Sequence, residues 1–435
     1  MILVMVGVAQ ATQHHVATTG DNSDAGTLEA PWATFAHGIY NAQAGDTVYI
    51  HGGTYVQTYT IVTRGNYYRA TYGGDPDETN NNEAGTEENP VIIRNYPGET
   101  PIIDCDTANI LINHQGMPWW IWKGLTFINA NTVLSIGGDG KSQHNTVDSL
   151  IIHRNRGGDN KGAISCGGVG GAYGVINNCY IKGPGWDGIH LNTCGIYCAG
   201  IEVLTITNCV IDSTQIGIYF KHRNEGADST DIEIAYNFMR RCHRLAAEFN
   251  SRKAYIHDNI FGDSCGGVLN CETNGAAGGD LNTYDHNTFN CNLTLGADTE
   301  SGDAYPGSYQ NVITNNLFLR NNYIHPYFTS PTHGTTLDYN CWKTGIYLQE
   351  YNTQYSTLED WKTHYGQDAN SVTGSIVFSP PVDSPLTAIG YTLGSSSAGY
   401  GTGESGTDIG ARVNLFGTGP IARIRNHKIT CTGSR

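Results

Sequence analysis

The chain contains no run of about 18 apolar residues, so no segment reads as a membrane-crossing helix. Charged residues make up only 15% of its 435 positions, and Ala, Glu, Lys and Leu do not dominate. Long surface helices and coiled coils are therefore excluded. Basic residues are scarce: 24 Lys and Arg stand against 40 Asp and Glu, a formal charge of −16. A nucleic-acid partner, which calls for a basic face, is not expected. Twelve cysteines are too few in a chain of this length for a disulfide scaffold. No second close-spaced Cys or His pair stands at zinc-ligand spacing, and no linker sets off a second domain. What is plentiful is glycine, with 55 residues, alongside 39% hydrophobic and 10% aromatic content. That is enough apolar surface for a core, which argues against disorder.

The N-terminus carries a short apolar run, Ile2 to Val8 (ILVMVGV), and then Ala9-Gln10-Ala11, without a preceding basic region. The small-x-small tripeptide is a signal-peptidase pattern. Residues 1–11 are expected to be the remnant of an export signal, the alternative being a buried first strand. The protein is expected to be secreted, cell-surface or periplasmic, and a monomer.

A strand motif built around Asn recurs along the chain. It reads Val175 to Ile181 (VINNCYI), Leu204 to Ile211 (LTITNCVI), Ile232 to Met239 (IEIAYNFM) and Tyr255 to Phe261 (YIHDNIF). It continues as Thr283 to Phe289 (TYDHNTF), Val312 to Phe318 (VITNNLF) and Thr336 to Trp342 (TLDYNCW). The Asn positions 178, 208, 237, 259, 287, 316 and 340 are separated by 30, 29, 22, 28, 29 and 24 residues. A period in this range marks a solenoid, and short alternating runs broken by Gly, Asn and Asp make its units strands and turns. The repeated Asn suits a turn with left-handed backbone and predicts amide ladders between coils. Cys179 and Cys209 take equivalent places in two repeats, as stacked small core side chains or as a disulfide. Cys194 and Cys198 leave the same alternatives open.

A second strand follows each motif: Gly188 to Asn192, Gly217 to Lys221, Ala246 to Asn250 and Gly267 to Cys271. Alternation points Ile189, Leu191, Ile218, Phe220, Ala247 and Phe249 inward. It places His190, Tyr219 and Glu248 in one outward column and Asn192, Lys221 and Asn250 in another. Phe35 to Ala44 has helical apolar spacing and is predicted to cap the first coil. A second short helix is predicted over Ser356 to Lys362, with Trp361 on its apolar side. The Gly-, Ser- and Pro-rich tail is expected to wrap the far end. The resulting division is a cap over about 17–60, coils over about 61–350 and a wrap over about 351–435.

Several segments resemble the pectate-lyase-like right-handed parallel β-helix superfamily. They are Gly26-Thr27 with Pro31 to Phe35, Ala44 to Ile50, Gly53-Thr54-Tyr55, Pro90 to Asp104, Ser384-Pro385, and Asp408-Ile409-Gly410-Ala411. The resemblance covers most of the chain and implies an all-β, single-domain right-handed parallel β-helix. It implies activity on polysaccharides, by lyases, hydrolases or epimerases, or a non-catalytic surface role. The Asp-Pro-His motif of alginate epimerases is absent, and Trp186 to His190 (WDGIH) is only an echo of the polygalacturonase motifs.

Seven of the 24 basic residues fall between Lys221 and Lys253: these two with Arg223, Arg240, Arg241, Arg244 and Arg252. The Arg fork matches a carboxylate or sulfate bidentately, so an acidic polysaccharide is the expected partner. The bland alternative is ion pairing with neighbours such as Glu225, Asp228, Asp231, Glu233 and Glu248. β-Elimination from a uronate needs the carboxylate neutralised, a base for the adjacent C–H and an acid for the leaving oxygen. Lys221 is the candidate base, Arg244 a carboxylate holder, and Tyr219 or His190 the acid. Asn192, His222, Arg223, Glu248, Asn250, Arg252 and Trp186 are candidate substrate contacts. Calcium is a candidate cofactor through Asp187, Glu225, Asp228 or Asp231, and no organic cofactor is expected. A hydrolase would instead pair Asp187 with Glu248. A glycan-binding protein would stack sugars on Trp186, Tyr219, Tyr305 and Tyr309.

Overall fold

The computed structural model describes residues 12–64, 84–105, 110–137, 142–154, 158, 160–167, 173–184, 192–201, 203–221, 231–263, 265–270, 281–295, 310–320, 322–324, 335–345, 348–350, 353–379 and 388–416. Within them the chain is a right-handed parallel β-helix of three sheets, each twelve strands long. One coil shows the plan. Val203–Thr207 lies in a first sheet, Val210–Asp212 in a second and Ile216–Lys221 in a third. Alternation drives the strands: in Val203–Thr207 the side chains Leu204 and Ile206 enter the core while Val203, Thr205 and Thr207 do not. Each strand pairs in parallel with its counterpart one coil on, as Leu204 does with Ile232 and Ile206 with Ile234.

The turn between the first and second sheets carries the repeat signal, in a frame one residue finer than sequence spacing resolves. One position is left-handed: Asn178 (φ 59°), Asn208 (54°), Tyr236 (58°), Asp258 (53°), His286 (52°), Asn315 (56°) and Tyr339 (54°). The following position points inward and holds Cys179, Cys209, Asn237, Asn259, Asn287, Asn316 and Asn340, all fully buried. The periodic Asn series thus joins two positions: Asn178 and Asn208 belong to the left-handed set, the other five to the buried one.

The buried set forms a ladder. The amide Nδ2 of Asn237 donates to Asn259 Oδ1 at 3.0 Å, Asn259 to Asn287 at 3.1 Å, Asn287 to Asn316 at 3.1 Å and Asn316 to Asn340 at 3.3 Å. Each acceptor oxygen also takes the backbone N–H of the Asn one coil before, and each Nδ2 also donates to a carbonyl of the preceding coil. Asn340 Nδ2 closes the ladder on Asp368 Oδ1 at 3.1 Å, and Asp368 also accepts from Trp361 Nε1 and Ser371 Oγ. Beside it, Phe261, Phe289, Phe318 and Trp342 stack face to face at centroid spacings of 4.9, 5.0 and 4.1 Å. Cys179 and Cys209 occupy the ladder position as buried thiols without a disulfide, and Cys194 and Cys198 are likewise unbridged.

Both ends are covered. The first helix is Phe35–Tyr40, shorter than the apolar spacing suggests because Asn41 caps it; Thr34 Oγ1 accepts from His37 N at its start. It buries Phe35, Ala36 and Ile39 against the first coils. The second helix is Leu358–Tyr365, capped by Thr357 and ended by left-handed Gly366, with Trp361 buried. The tail does not simply cap the far end. Residues 388–416 include a strap that runs back along the outside of the solenoid. Gly410 N donates to Asn315 O, Ala411 N to Thr288 Oγ1, Arg412 N, Nε and Nη2 to Asp258, and Phe416 meets the ring of Tyr236. These partners belong to four successive coils. Gly410 (φ 92°) is required there, because a Cβ would lie 2.8 Å from Leu317 Cβ.

Two results are expected. Asn287→Ala strands the Asn259 amide and the Ile256 carbonyl, and loses about 2–4 kcal/mol of stability, read as a lower urea midpoint. Burial alone would raise the Asp258 carboxyl, but Arg412 and His257 outweigh it and hold it below the ordinary carboxylate range. A depressed carboxyl stabilises above its unfolded pKa of about 3.9 and loses that contribution as pH falls through the folded value. The melting temperature should therefore drop with acidification below about pH 4, and by less in Arg412→Ala.

Candidate active site

The outer face of the third sheet is built by register. Ser135, Ser165, Tyr197, Tyr219 and Glu248 stand opposite one another on successive coils, followed by Leu269. A neighbouring column runs Gly137, Gly167, Ala199 and Lys221. Tyr219 and Glu248 do share a column, as the alternation predicts, and Ile218, Phe220, Ala247 and Phe249 point into the core. The strand beneath Tyr219 differs from expectation. It is Thr193–Ala199, not Gly188 to Asn192, so Tyr197 takes the place assigned to His190.

Although outward-facing, Tyr219, Glu248 and Asn250 are only 6%, 4% and 3% exposed. Tyr219 is therefore not an open stacking platform for a sugar. Its ring meets Tyr197 edge-on at 5.6 Å. Burial first, and then the Glu248 carboxylate, push its phenol well above the ordinary tyrosine range, with Arg244 opposing. Asn250 Nδ2 donates to Glu248 Oε1 at 3.3 Å. Lys221 ends the strand Ile216–Lys221, half-buried, and shares no ion pair with Glu248 among the described residues. Arg244 is exposed just before Leu245–Phe249 and donates through Nη1 to Asn192 Oδ1, and Asn192 Nδ2 donates to Asn160 Oδ1 at 3.5 Å.

The basic cluster divides. Arg240 and Arg241 both bind the buried carboxylate of Asp212 at the corner of the second sheet, so two of the seven cations serve an internal anion. Burial opposes this ionisation, yet the two guanidinium groups hold Asp212 below the ordinary carboxylate range. Arg252 is half-buried and Lys253 exposed in the turn that leads back to the first sheet. Asp231, proposed as a cation ligand, is exposed at the start of the first-sheet strand Asp231–Ala235. No group of three or more His, Cys, Asp or Glu side chains is arranged to hold a metal among the described residues. Trp186, Asp187, His190, His222, Arg223, Glu225, Asp228, Tyr305 and Tyr309 lie outside the described residues.

Comparison with known proteins agrees with this architecture. Residues 14–181 match the family described as Pel9A-like, right handed beta helix region. Over those residues the chain matches that family, and across the described residues its fold is a right-handed parallel β-helix. The chain is 31% identical over 135 residues to the pectate lyase PEL9 of Emericella nidulans, a match covering 27% of this chain and 28% of that protein. The pectate lyase Pel9A structure superposes with a TM-score of 0.49 at 14% identity, covering 93% of this chain and 97% of that one. The complex of XylC with xylose gives 0.49 at 11% identity, covering 84% and 88%. No helix among the described residues is long and apolar enough to cross a membrane.

The matched family region ends before Thr193, so the column from Tyr197 to Glu248 lies beyond it. Tyr197 was legible in principle: Cys194, Ile196 and Cys198 alternate with it, and register with Ile216, Ile218 and Phe220 on the next strand. Removing the Glu248 charge should lower the Tyr219 pKa. In a spectrophotometric tyrosine titration, Glu248→Gln is expected to bring a late-ionising phenol to lower pH, and Tyr219→Phe to delete it.

Proposed function

We propose that this β-helix is a polysaccharide lyase that cleaves a uronate-containing polymer by β-elimination outside the cell. The observation that carries this reading is Tyr219, kept protonated by burial and Glu248, with the Arg244 guanidinium acting on the phenol and Lys221 two residues on along the same strand. The likeness of part of the chain to a pectate lyase supports it. Tyr219 and Lys221 are alternate residues of one strand, their Cα atoms about 6.6 Å apart. That spacing lets an acid and a base converge on adjacent atoms of a single pyranose ring.

In the reaction, Arg244 pairs with the uronate carboxylate and withdraws charge from the adjacent carbon. Lys221 removes the proton from that carbon. Tyr219 delivers its phenolic proton to the departing glycosidic oxygen, a role that a phenol with a raised pKa can fill and a phenolate cannot. The products are a new non-reducing end bearing a double bond conjugated to the carboxylate, and a free hydroxyl on the released chain. Arg223 is a second candidate for the carboxylate. Calcium is a candidate cofactor through Asp187, Glu225, Asp228 or Asp231, and no step above is routed through it.

Ultraviolet absorbance of the unsaturated product, followed on a panel of polyuronates with and without calcium, tests the reading. Absorbance should rise on at least one polymer. Lys221→Ala and Tyr219→Phe should each lower kcat by about 10²–10⁴-fold with unchanged circular dichroism. Full elimination by Lys221→Ala would overturn the base assignment. New reducing ends without absorbance would replace the lyase by a hydrolase.

A further inference from the structure

N-terminal to Tyr219, the same outer face carries a cleft of about 170 Å³. Its lining mixes polar and apolar groups: Thr132, Ser135, Lys161 and Ser165 stand beside Ile136 and Cys166. Lys161 opens the strand Lys161–Gly167, is exposed, and makes no ion pair among the described residues. In a chain of net charge −16, a cation without an ion-pair partner among the described residues is notable beside a cleft. Thr132 Oγ1 is buried with no hydrogen-bond partner in the protein, a rare state for a hydroxyl and one that a ligand oxygen would relieve.

The floor next to the cleft is low. The column leading to Lys221 consists of Gly137, Gly167 and Ala199, and the column leading to Tyr219 of Ser135, Ser165 and Tyr197. A Cβ on Gly137 would lie 2.1 Å from the Gly167 carbonyl oxygen, so the trough cannot be filled by a larger residue without moving backbone. Polar continuity joins the two ends: Asn160, in the cleft, accepts from Asn192, which accepts from Arg244.

We propose that the Lys161 cleft is a separate subsite of the lyase, binding the carboxylate of a uronate residue two coils from Tyr219. The inference rests on the lyase reading and adds the direction in which the polymer extends. Lys161 pairs with the carboxylate, while Ser135, Ser165 and Thr132 offer hydroxyls to the ring oxygens. A neutral sugar would leave the ammonium unpaired. The site therefore selects an acidic residue at this position, not only at the position of cleavage.

Calorimetric titration with hexagalacturonate and hexamannuronate, and with maltohexaose as an uncharged control, tests the subsite. The wild-type protein should bind at least one uronate hexamer and not maltohexaose. Lys161→Ala should weaken that binding about tenfold, Lys161→Arg should keep most of it, and on the polymer Lys161→Ala should raise KM with little change in kcat. Equal binding of the uronate hexamer by Lys161→Ala overturns the subsite and leaves the lyase reading intact. Equal binding of maltohexaose overturns its proposed selectivity. Failure of the wild type to bind either uronate hexamer overturns both.

Discussion

The register between coils is the constraint on which everything else rests, and buried carboxamides enforce it. An asparagine side chain has both a donor and an acceptor, so it can be satisfied from both directions along the axis. From Asn259 to Asn340 each amide oxygen takes two donors from the coil before, and from Asn237 to Asn340 each amide nitrogen gives one proton forward and one to a backbone carbonyl. A slip of one residue would strand several polar groups in a dry core, at about 1–3 kcal/mol each. Hydrophobic burial makes the solenoid favourable, but oil-like contacts alone would tolerate such slips. The ladder does not.

Because the register is single-valued, the outer faces become aligned columns, and the site is a property of those columns. Tyr197, Tyr219 and Glu248 come from three different coils and meet only through it. The same order governs where charge goes. Arg240 and Arg241 are consumed by Asp212, and Arg412 by Asp258, each neutralising a carboxylate with no exposed side chain. A buried anion without such partners would be strongly unfavourable. The cations on the third sheet, Lys161, Lys221 and Arg244, carry no such internal duty among the described ion pairs, and an anionic polymer is the counterpart that fits them.

Much of this was legible in the chain itself. Solenoid period, strand alternation, the inward set from Ile218 to Phe249 and both capping helices follow from residue pattern. Two things did not. The Asn series was misframed by one residue, because Asn fits a left-handed turn and a buried ladder equally well, and Cys179 and Cys209 take the ladder place in the coils where Asn holds the turn. The basic cluster looked like one feature because sequence proximity cannot distinguish residues on different sheets: Arg240 lies in the second and Lys221 in the third. The column place given to His190 is taken by Tyr197 for a related reason. Strand length within a coil varies, and only pairing shows that Tyr197 lies under Tyr219.

A stack of coils in which each touches only its neighbours is, in principle, free to fray from either end, one rung at a time. The strap from Gly410 to Phe416 changes that, because its anchors at Asn315, Thr288, Asp258 and Tyr236 bind coils that are not adjacent in sequence order to the strap or all in contact with one another. Losing the outermost of these coils means peeling a tether shared with the other three. The strap thereby couples those four coils, while the N-terminal coils have no such tether among the described contacts. A linear array has acquired a long-range coupling, and the third-sheet strands bearing Tyr219 and Glu248 sit inside or at the border of the part that is coupled.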